Sequence, residues 1–320
     1  MKARRVAAFL ALSASWSLAQ AQSFPGKPIR VIVPSIAGSS PDVRVRQIAP
    51  KLSEAVGQPV IVDNRPGANG AIAAQQAAKA APDGHTLFFA LINNAVNDLL
   101  NPDSCCRLNH ELAPVVHFTV TPLAMVVHPS VAASSLKEFV QLAKSKPGAL
   151  TYSSGGPGSA TQLLGEWIKS ASGISVLEVP YKSVGAEIPD LLAGQVTAGY
   201  LVPNAIAPHV RAGKLRALAV AGPARVPVFR DVPTMAEAGL PGVEASVWNG
   251  YFVPAGTPQP IIQVLNRELL RTFSAPEVRE QVAATGGEIV GGRPEEFAAF
   301  IRSEIAKWGK VIADAGIKLQ

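Results

Sequence analysis

The residues with most to offer a ligand are neither acids, bases nor nucleophiles, but two runs of small residues. Ser35, Ile36, Ala37, Gly38, Ser39 and Ser40 follow the β-branched run Ile29–Val33 and precede an expected helix. Ser40 fits that helix as N-cap, Pro41 its first position and Asp42 its first turn. Ser154 to Ser159, through Gly155-Gly156-Pro157-Gly158, repeat the pattern in mid-chain, after a short strand and before a helix from Ala160 to Ser172. At such junctions the backbone N–H groups that lack a partner inside the helix point at one spot, and the helix dipole adds positive potential. That suits an anion, with no charged side chain in the site. It is equally what an ordinary βα unit looks like, so the loops alone leave both readings open. Hydrogen bonds to a charged acceptor contribute about 1.5–3 kcal/mol each. Three or four donors plus shape then reach the roughly −8 kcal/mol of a micromolar site after the costs of binding.

Signatures of covalent chemistry are absent. The chain has no G-x-S-x-G elbow, no Walker loop, no H-E-x-x-H and no G-x-G-x-x-G opening a helix. Gly156-Pro157-Gly158 begins like a dinucleotide fingerprint but has no third glycine. His85, His110 and His117 have no Cys or His at ligand spacing, and His128 and His209 each adjoin a proline. Cys105 and Cys106 are neighbours, too close for an easy disulfide and too few for a metal site, and read as unpaired loop thiols. No cofactor, no metal and no catalytic residue is expected.

The first residues have the form of an export signal. Lys2, Arg4 and Arg5 form a basic region, Val6 to Leu12 an apolar core, and Ala19-Gln20-Ala21 a cleavage site after Ala21. The apolar run is too short to span a bilayer, so a secreted, periplasmic protein is expected. The mature chain keeps about 300 of the 320 residues, more than one typical domain. The formal charge of +6 loses three units with the leader, too weak and scattered a surplus to argue for nucleic acid.

The elements that must position the loops alternate between strand and helix. After the Pro41 helix, Pro59 to Asp63 reads as a strand, Asn64 to Gly70 as a turn in which Arg65 pairs locally, Ala71 to Ala81 as a helix and Thr86 to Ile92 as a strand. Asn93 and Asn94 stand at the end of that strand, where ligands meet open α/β sheets. A second series runs from about residue 125 to 246, with strands at Thr151–Ser153, Ile174–Tyr181, Val196–Val202 and Leu215–Val220, and a short helix at Val232 to Gly239. Val247 to Val253 is a last strand, and the rest is mostly helical. This order predicts parallel sheets covered by helices in two lobes, residues 22–124 plus 247–320 and residues 125–246, behind a leader of residues 1–21.

Several blocks in order carry a resemblance: Pro34 to Asp42, Asn64 to Gly70, Ala81-Pro82-Asp83-Gly84-His85-Thr86-Leu87, Val179-Pro180-Tyr181-Lys182, Asp190 to Val196 and Gly213 to Val220. Together, over nearly the whole mature chain, they resemble the Bug family, the extracytoplasmic receptors of tripartite tricarboxylate transporters. The resemblance implies a two-lobed periplasmic-binding-protein-like (type II) α/β fold that closes on a small carboxylate ligand, held largely by backbone groups and water. It implies binding residues at Ser35 to Ser40, Asn93 and Asn94 in one lobe, and Ser153, Gly158, Ser159, Gln162, Tyr181 and Tyr200 in the other. The chain departs from the family at Ser35, where an aromatic is usual, at Gly38-Ser39, where a glycine pair is usual, and at Gln162, often His, so the ligand does not transfer from a relative. Lys182 could face an acid or tie its own turn by a salt bridge. Three readings stay open: a solute receptor, a monomer, feeding a membrane transporter; a receptor reporting to a sensor kinase; and a secreted hydrolase using Ser153 or Ser159.

Overall fold

Ile29–Val33 forms strand β1 with its apolar side chains buried, inside a six-stranded sheet. In the computed structural model, residues 24–100, 107–181, 184–284 and 286–316 are described. The leader, Cys105, Cys106 and Lys182 lie outside them.

Beside β1 lie β2 (Val60–Asn64) and β3 (Thr86–Leu91), both parallel to it. β10 (Ser246–Pro254) pairs antiparallel with β3 and with the long β4 (Leu112–Pro122), and β11 (Glu288–Gly291) closes that edge, giving the order β11-β4-β10-β3-β1-β2. The second sheet has the order β7-β6-β8-β5-β9, from β5 (Ala124–Val127), β6 (Thr151–Ser154), β7 (Leu177–Pro180), β8 (Ala198–Leu201) and β9 (Arg216–Val220). There β7, β6 and β8 are parallel, and β5 runs against both β8 and β9. The parallel part of each sheet is the part built of βα units. The strands leading between the sheets, β4, β5, β9 and β10, pair antiparallel, as does β11 at the edge of the first sheet.

Helices cover both faces. α1 (Ser40–Val56) buries Val45, Ile48 and Leu52 against one face of the first sheet, together with α8 (Gln259–Phe273) and α9 (Pro276–Ala284). α2 (Ala71–Ala78), α3 (Ile92–Leu100) and α10 (Pro294–Ala315) cover the other face. In the second sheet α4 (Leu136–Ser145) and α5 (Ala160–Ser172) pack on one side, and α6 (Val184–Leu192) and α7 (Pro203–Arg211) on the other. α10 reaches both sheets' layers: it packs on β4, and its Trp308 meets Trp167 of α5 edge-on at 5.8 Å.

The chain passes between the sheets at two places, from β4 to β5 through Leu123 and from β9 back to β10 across residues 221–245. These crossings are tied in a ring. Leu123 N–H donates to the Ala245 carbonyl (3.0 Å), Ala245 N–H to Ala221 (2.9 Å) and Ala221 N–H to Leu123 (2.7 Å), all three residues being buried.

Three local expectations are corrected. Val232–Gly239 is a run of turns, because Pro233 and Gly239 leave too short a span for a helix. The residues after β3 pass straight into α3, so Asn93 and Asn94 lie in a helix's first turn. β11, four residues flanked by glycines, carried no periodic signal.

Candidate functional site

Because β1 and β3 are parallel neighbours, the loop after β1 and the first turn of α3 emerge from one edge of the first sheet. By the same rule the β6–α5 loop and the start of α7 emerge from one edge of the second, since β6 and β8 are parallel neighbours. Between the sheets lies a cavity of about 480 Å³. The first sheet gives it Ser40, Arg44 and Asn93, the second gives it Val202 and Asn204, and β10 gives it Asn249. The volume is that of a small-molecule site. Its remaining lining is largely apolar.

The start of α1 differs from the expected anion site in two respects. Ser39, not Ser40, is the N-cap, and its hydroxyl turns back to the Ser35 hydroxyl (2.8 Å) and the Ile36 carbonyl (2.7 Å). The first turn's own carboxylate takes the anion's place. Asp42, buried, accepts from Gly38 N–H at 2.8 Å, from Arg46 Nε at 2.9 Å and from Asn64 Nδ2 at 2.9 Å. Burial raises its pKa, but these donors outweigh it and hold the carboxyl below the ordinary value. Gly38 sits at φ +80°, a backbone that side chains resist, and this aims its N–H at Asp42. The reading of a loop without a charged side chain is thereby overturned. The N–H groups of Ile36, Ala37 and Ser40 have no partner among the described residues, and Ile36 is an exposed apolar side chain at the loop's tip.

Asn93 and Asn94 divide their work. Asn94 is buried and structural: its Oδ1 accepts from Leu91 N–H (2.9 Å) and its Nδ2 donates to Gly70 (3.3 Å). Asn93 lines the cavity, with its Nδ2 given to Asn69 Oδ1 at 2.7 Å. Arg65 pairs with Asp63 at 2.9 Å, as the local reading of that turn expects.

The second loop is satisfied from within. Gly155 N–H donates to Thr161 Oγ1 (2.8 Å), Gly156 N–H to Ser154 Oγ (3.0 Å), Gly158 N–H to Gln162 Oε1 (2.7 Å) and Ser159 N–H to the Gly156 carbonyl (3.1 Å). Ser159 Oγ caps α5 by accepting from Gln162 N–H, and Gln162 Nε2 is held by Glu178 at 3.0 Å. Ser153 is fully buried and donates to Glu187 Oε1 at 2.6 Å. Gly199 makes room for that pair, since a Cβ there would stand 2.8 Å from Ser153 Oγ. Tyr200 is a core residue whose ring packs on Tyr152 at 5.6 Å, and burial raises its phenol. Tyr181 donates to Asp190 at 2.7 Å; partial burial and this bond push it up to about 12. Ser153 and Tyr200 therefore have no surface to offer a ligand in this conformation. The rest of the second set, Gly158, Ser159, Gln162 and Tyr181, would have to exchange an internal bond for one to a ligand.

The hydrolase reading asked for a histidine beside Ser153 or Ser159. Their hydroxyl partners are instead Glu187, the Ala198 carbonyl, Thr161 and Gln162. Among the described residues His117 is stacked in a Phe297–Phe300 pocket, His85 lies against Phe24, and His128 is bonded to Ser130.

Arg44 and Asn204 were not singled out by the sequence reading. Arg44 precedes Ile48 by four residues and Leu52 by eight, so a cation stands on the apolar stripe of α1. That was a signal. Asn204 follows a strand at the ligand-facing edge, but nothing in Val202-Pro203-Asn204 marks it out from other helix starts.

Comparison with known proteins decides the family. The description Tripartite tricarboxylate transporter family receptor matches residues 44–317. The chain belongs to this family. It is 35% identical to the protein BugT of Bordetella pertussis, over 98% of this chain and 96% of that one. Among solved structures it is similar to MatC from Rhodopseudomonas palustris with bound malate, at 30% identity and TM-score 0.79, covering 90% of this chain and 100% of MatC. It is also similar to a second R. palustris protein, with adipate, at 32% identity and TM-score 0.81, covering 92% and 99%. The two-lobed α/β fold of a periplasmic binding protein is thus the fold of this receptor. No helix among its described residues is long and apolar enough to cross a membrane.

Proposed function

We propose that this protein is an extracytoplasmic solute receptor that captures a small carboxylate between its two lobes and delivers it to a tripartite tricarboxylate-type transporter. The observation that carries the reading is the shared cavity: the ligand-facing edges of both sheets open onto one space, which takes Ser40 and Asn93 from one side and Asn204 from the other. The malate and adipate held by two structural relatives support the ligand class. In this reading the lobes are residues 22–124 plus 247–320 and 125–246, the leader is cleaved after Ala21, and the mature receptor is a periplasmic monomer. The Ser35–Ser40 loop offers its unpartnered N–H groups to the acid, and the Gly158–Gln162 loop closes over it by exchanging internal bonds. No step needs a base or a cofactor.

Thermal unfolding with a panel of acids (malate, citrate, hexanoate, adipate and benzoate), each beside its neutral amide, tests the proposal. An acid at 100 times its dissociation constant stabilises by about 2.7 kcal/mol. The expected result is stabilisation by at least one acid and not by its amide. No response to any acid, or an equal response to the amides, overturns it.

A further inference from the structure

Arg44 is the buried permanent cation among the described residues, 7% exposed, and it lines the inter-lobe cavity. The buried acids all have partners: Asp42 has Arg46, Glu268 has Arg267, Glu304 has Lys307 and two indole N–H groups, and Glu187 has the Ser153 hydroxyl. Arg44 pairs with no carboxylate among the described residues. Its Nη1 donates to Thr119 Oγ1 at 2.7 Å, its Nε is sealed from water without an acceptor, and no hydrogen bond of Nη2 is seen among the described residues. Burial lowers its pKa from the ordinary value, in keeping with a cation that has no counter-ion among the described residues. The side chain is also fixed. Thr119, fully buried, passes the hydrogen bond on to Asn249 Oδ1 at 2.9 Å, so strands β4 and β10 hold the guanidinium from behind. A buried ion costs several kcal/mol of desolvation unless something compensates it. Among the described residues, one neutral hydroxyl bonds to it.

We propose that Arg44 is the charge-recognition residue of this pocket, pairing through the Nη N–H groups that Thr119 leaves unused with a carboxylate of an acid whose body is apolar. Pro41, Leu91, Ile92, Val202, Val247 and Ala284, which line the same cavity, would surround that body. The inference rests on the receptor reading and deepens it. Backbone donors of the Ser35–Ser40 loop accept any small anion, whereas a planar guanidinium matches a carboxylate in two-pronged geometry.

The test is titration calorimetry of hexanoate, adipate and benzoate, and of their neutral amides, against the wild type, Arg44→Met and Arg44→Lys, together with the unfolding temperature of each protein without ligand. The wild type should prefer the acids to the amides. Arg44→Met should weaken acid binding about 10- to 100-fold, the range of hydrogen bonds to charged groups, and leave amide binding unchanged. Arg44→Lys should recover part of the loss. Without ligand, Arg44→Met should unfold at a higher temperature than the wild type, because an uncompensated buried charge has gone. A variant that binds the acids as tightly as the wild type overturns the inference and leaves the receptor reading standing. A lower unfolding temperature of ligand-free Arg44→Met overturns it too, since Arg44 would then be a structural partner of Thr119. A wild type that binds none of the acids overturns both.

Discussion

Glu187 shows how one residue's burial sets a pH response beneath the second loop. It is 3% exposed, and loss of water pushes its carboxyl up to about 7, against an ordinary value of 4.5; the Ser153 hydroxyl bonded to it offsets only part of this. Between those values the folded state holds the proton that the unfolded chain has released. The stability that this group allows is therefore complete below about pH 4.5 and is lost as pH rises toward 7. Glu187→Gln keeps an acceptor for Ser153 and removes the titration. The variant should gain about 1–3 kcal/mol over the wild type at pH 8 and almost nothing at pH 4. Urea unfolding of both proteins across that range checks this. Asp98, also pushed up to about 7 by burial, titrates in the same window in both proteins and cancels in the difference. Parallel curves would mean that Glu187 is already compensated when ionised.

At the scale of elements, two helix ends do more than the sequence disclosed. The start of α1 spends Gly38 N–H on its own Asp42, which fixes the loop's shape before any ligand arrives. The start of α7 reaches across the cavity: Asn204 Nδ2 donates to the carbonyls of Ala283 (3.0 Å) and Ala284 (3.2 Å), the last residues of α9 on the other sheet's side. These two bonds should favour the closed arrangement. Asn204→Ala is expected to give a ligand-free protein with a larger radius of gyration and a dissociation constant for the bound acid about 3- to 10-fold higher, from bonds that contribute roughly 0.5–1.5 kcal/mol each. Scattering and calorimetry on the one variant check both. An unchanged radius with weakened binding would make Asn204 a direct ligand contact instead.

The same elements show what could be read in advance. The alternation of β-branched runs with helical stripes at Ile29–Val56 and Thr151–Ser172 is a local property, so both βα units were legible. The local pairing of Arg65 was legible for the same reason. The bonds that fix the side chains around these loops are not all local. Asp42's place in the first loop depends on Asn64, twenty-two residues on, and the fate of Ser153 on Glu187, thirty-four residues on. Arg44 could be seen as a cation on an apolar stripe. That no described carboxylate pairs with it is a property of the folded chain.

For the whole molecule the decisive feature is that the two sheets are joined by few strands. The ring of backbone bonds through Leu123, Ala221 and Ala245 holds the crossings together at one narrow place. Rotation about a few such residues can move one lobe against the other while both cores stay packed. α10 spans that joint, its Glu304 accepting from Trp248 Nε1 at the start of β10 and from Trp308 Nε1, both at 3.1 Å. A ligand can drive closure only by binding the closed form better than the open one. In the proposed reading, unpartnered donors of the first loop, Arg44 and Asn204, the last two lining the cavity, would supply that difference. Small-angle scattering of the mature protein, with and without a saturating acid identified by the thermal panel, tests this most directly. The expected result is a smaller radius of gyration in the presence of the acid and no change with its neutral amide. A radius unchanged at saturation would contradict capture by closure of the two lobes.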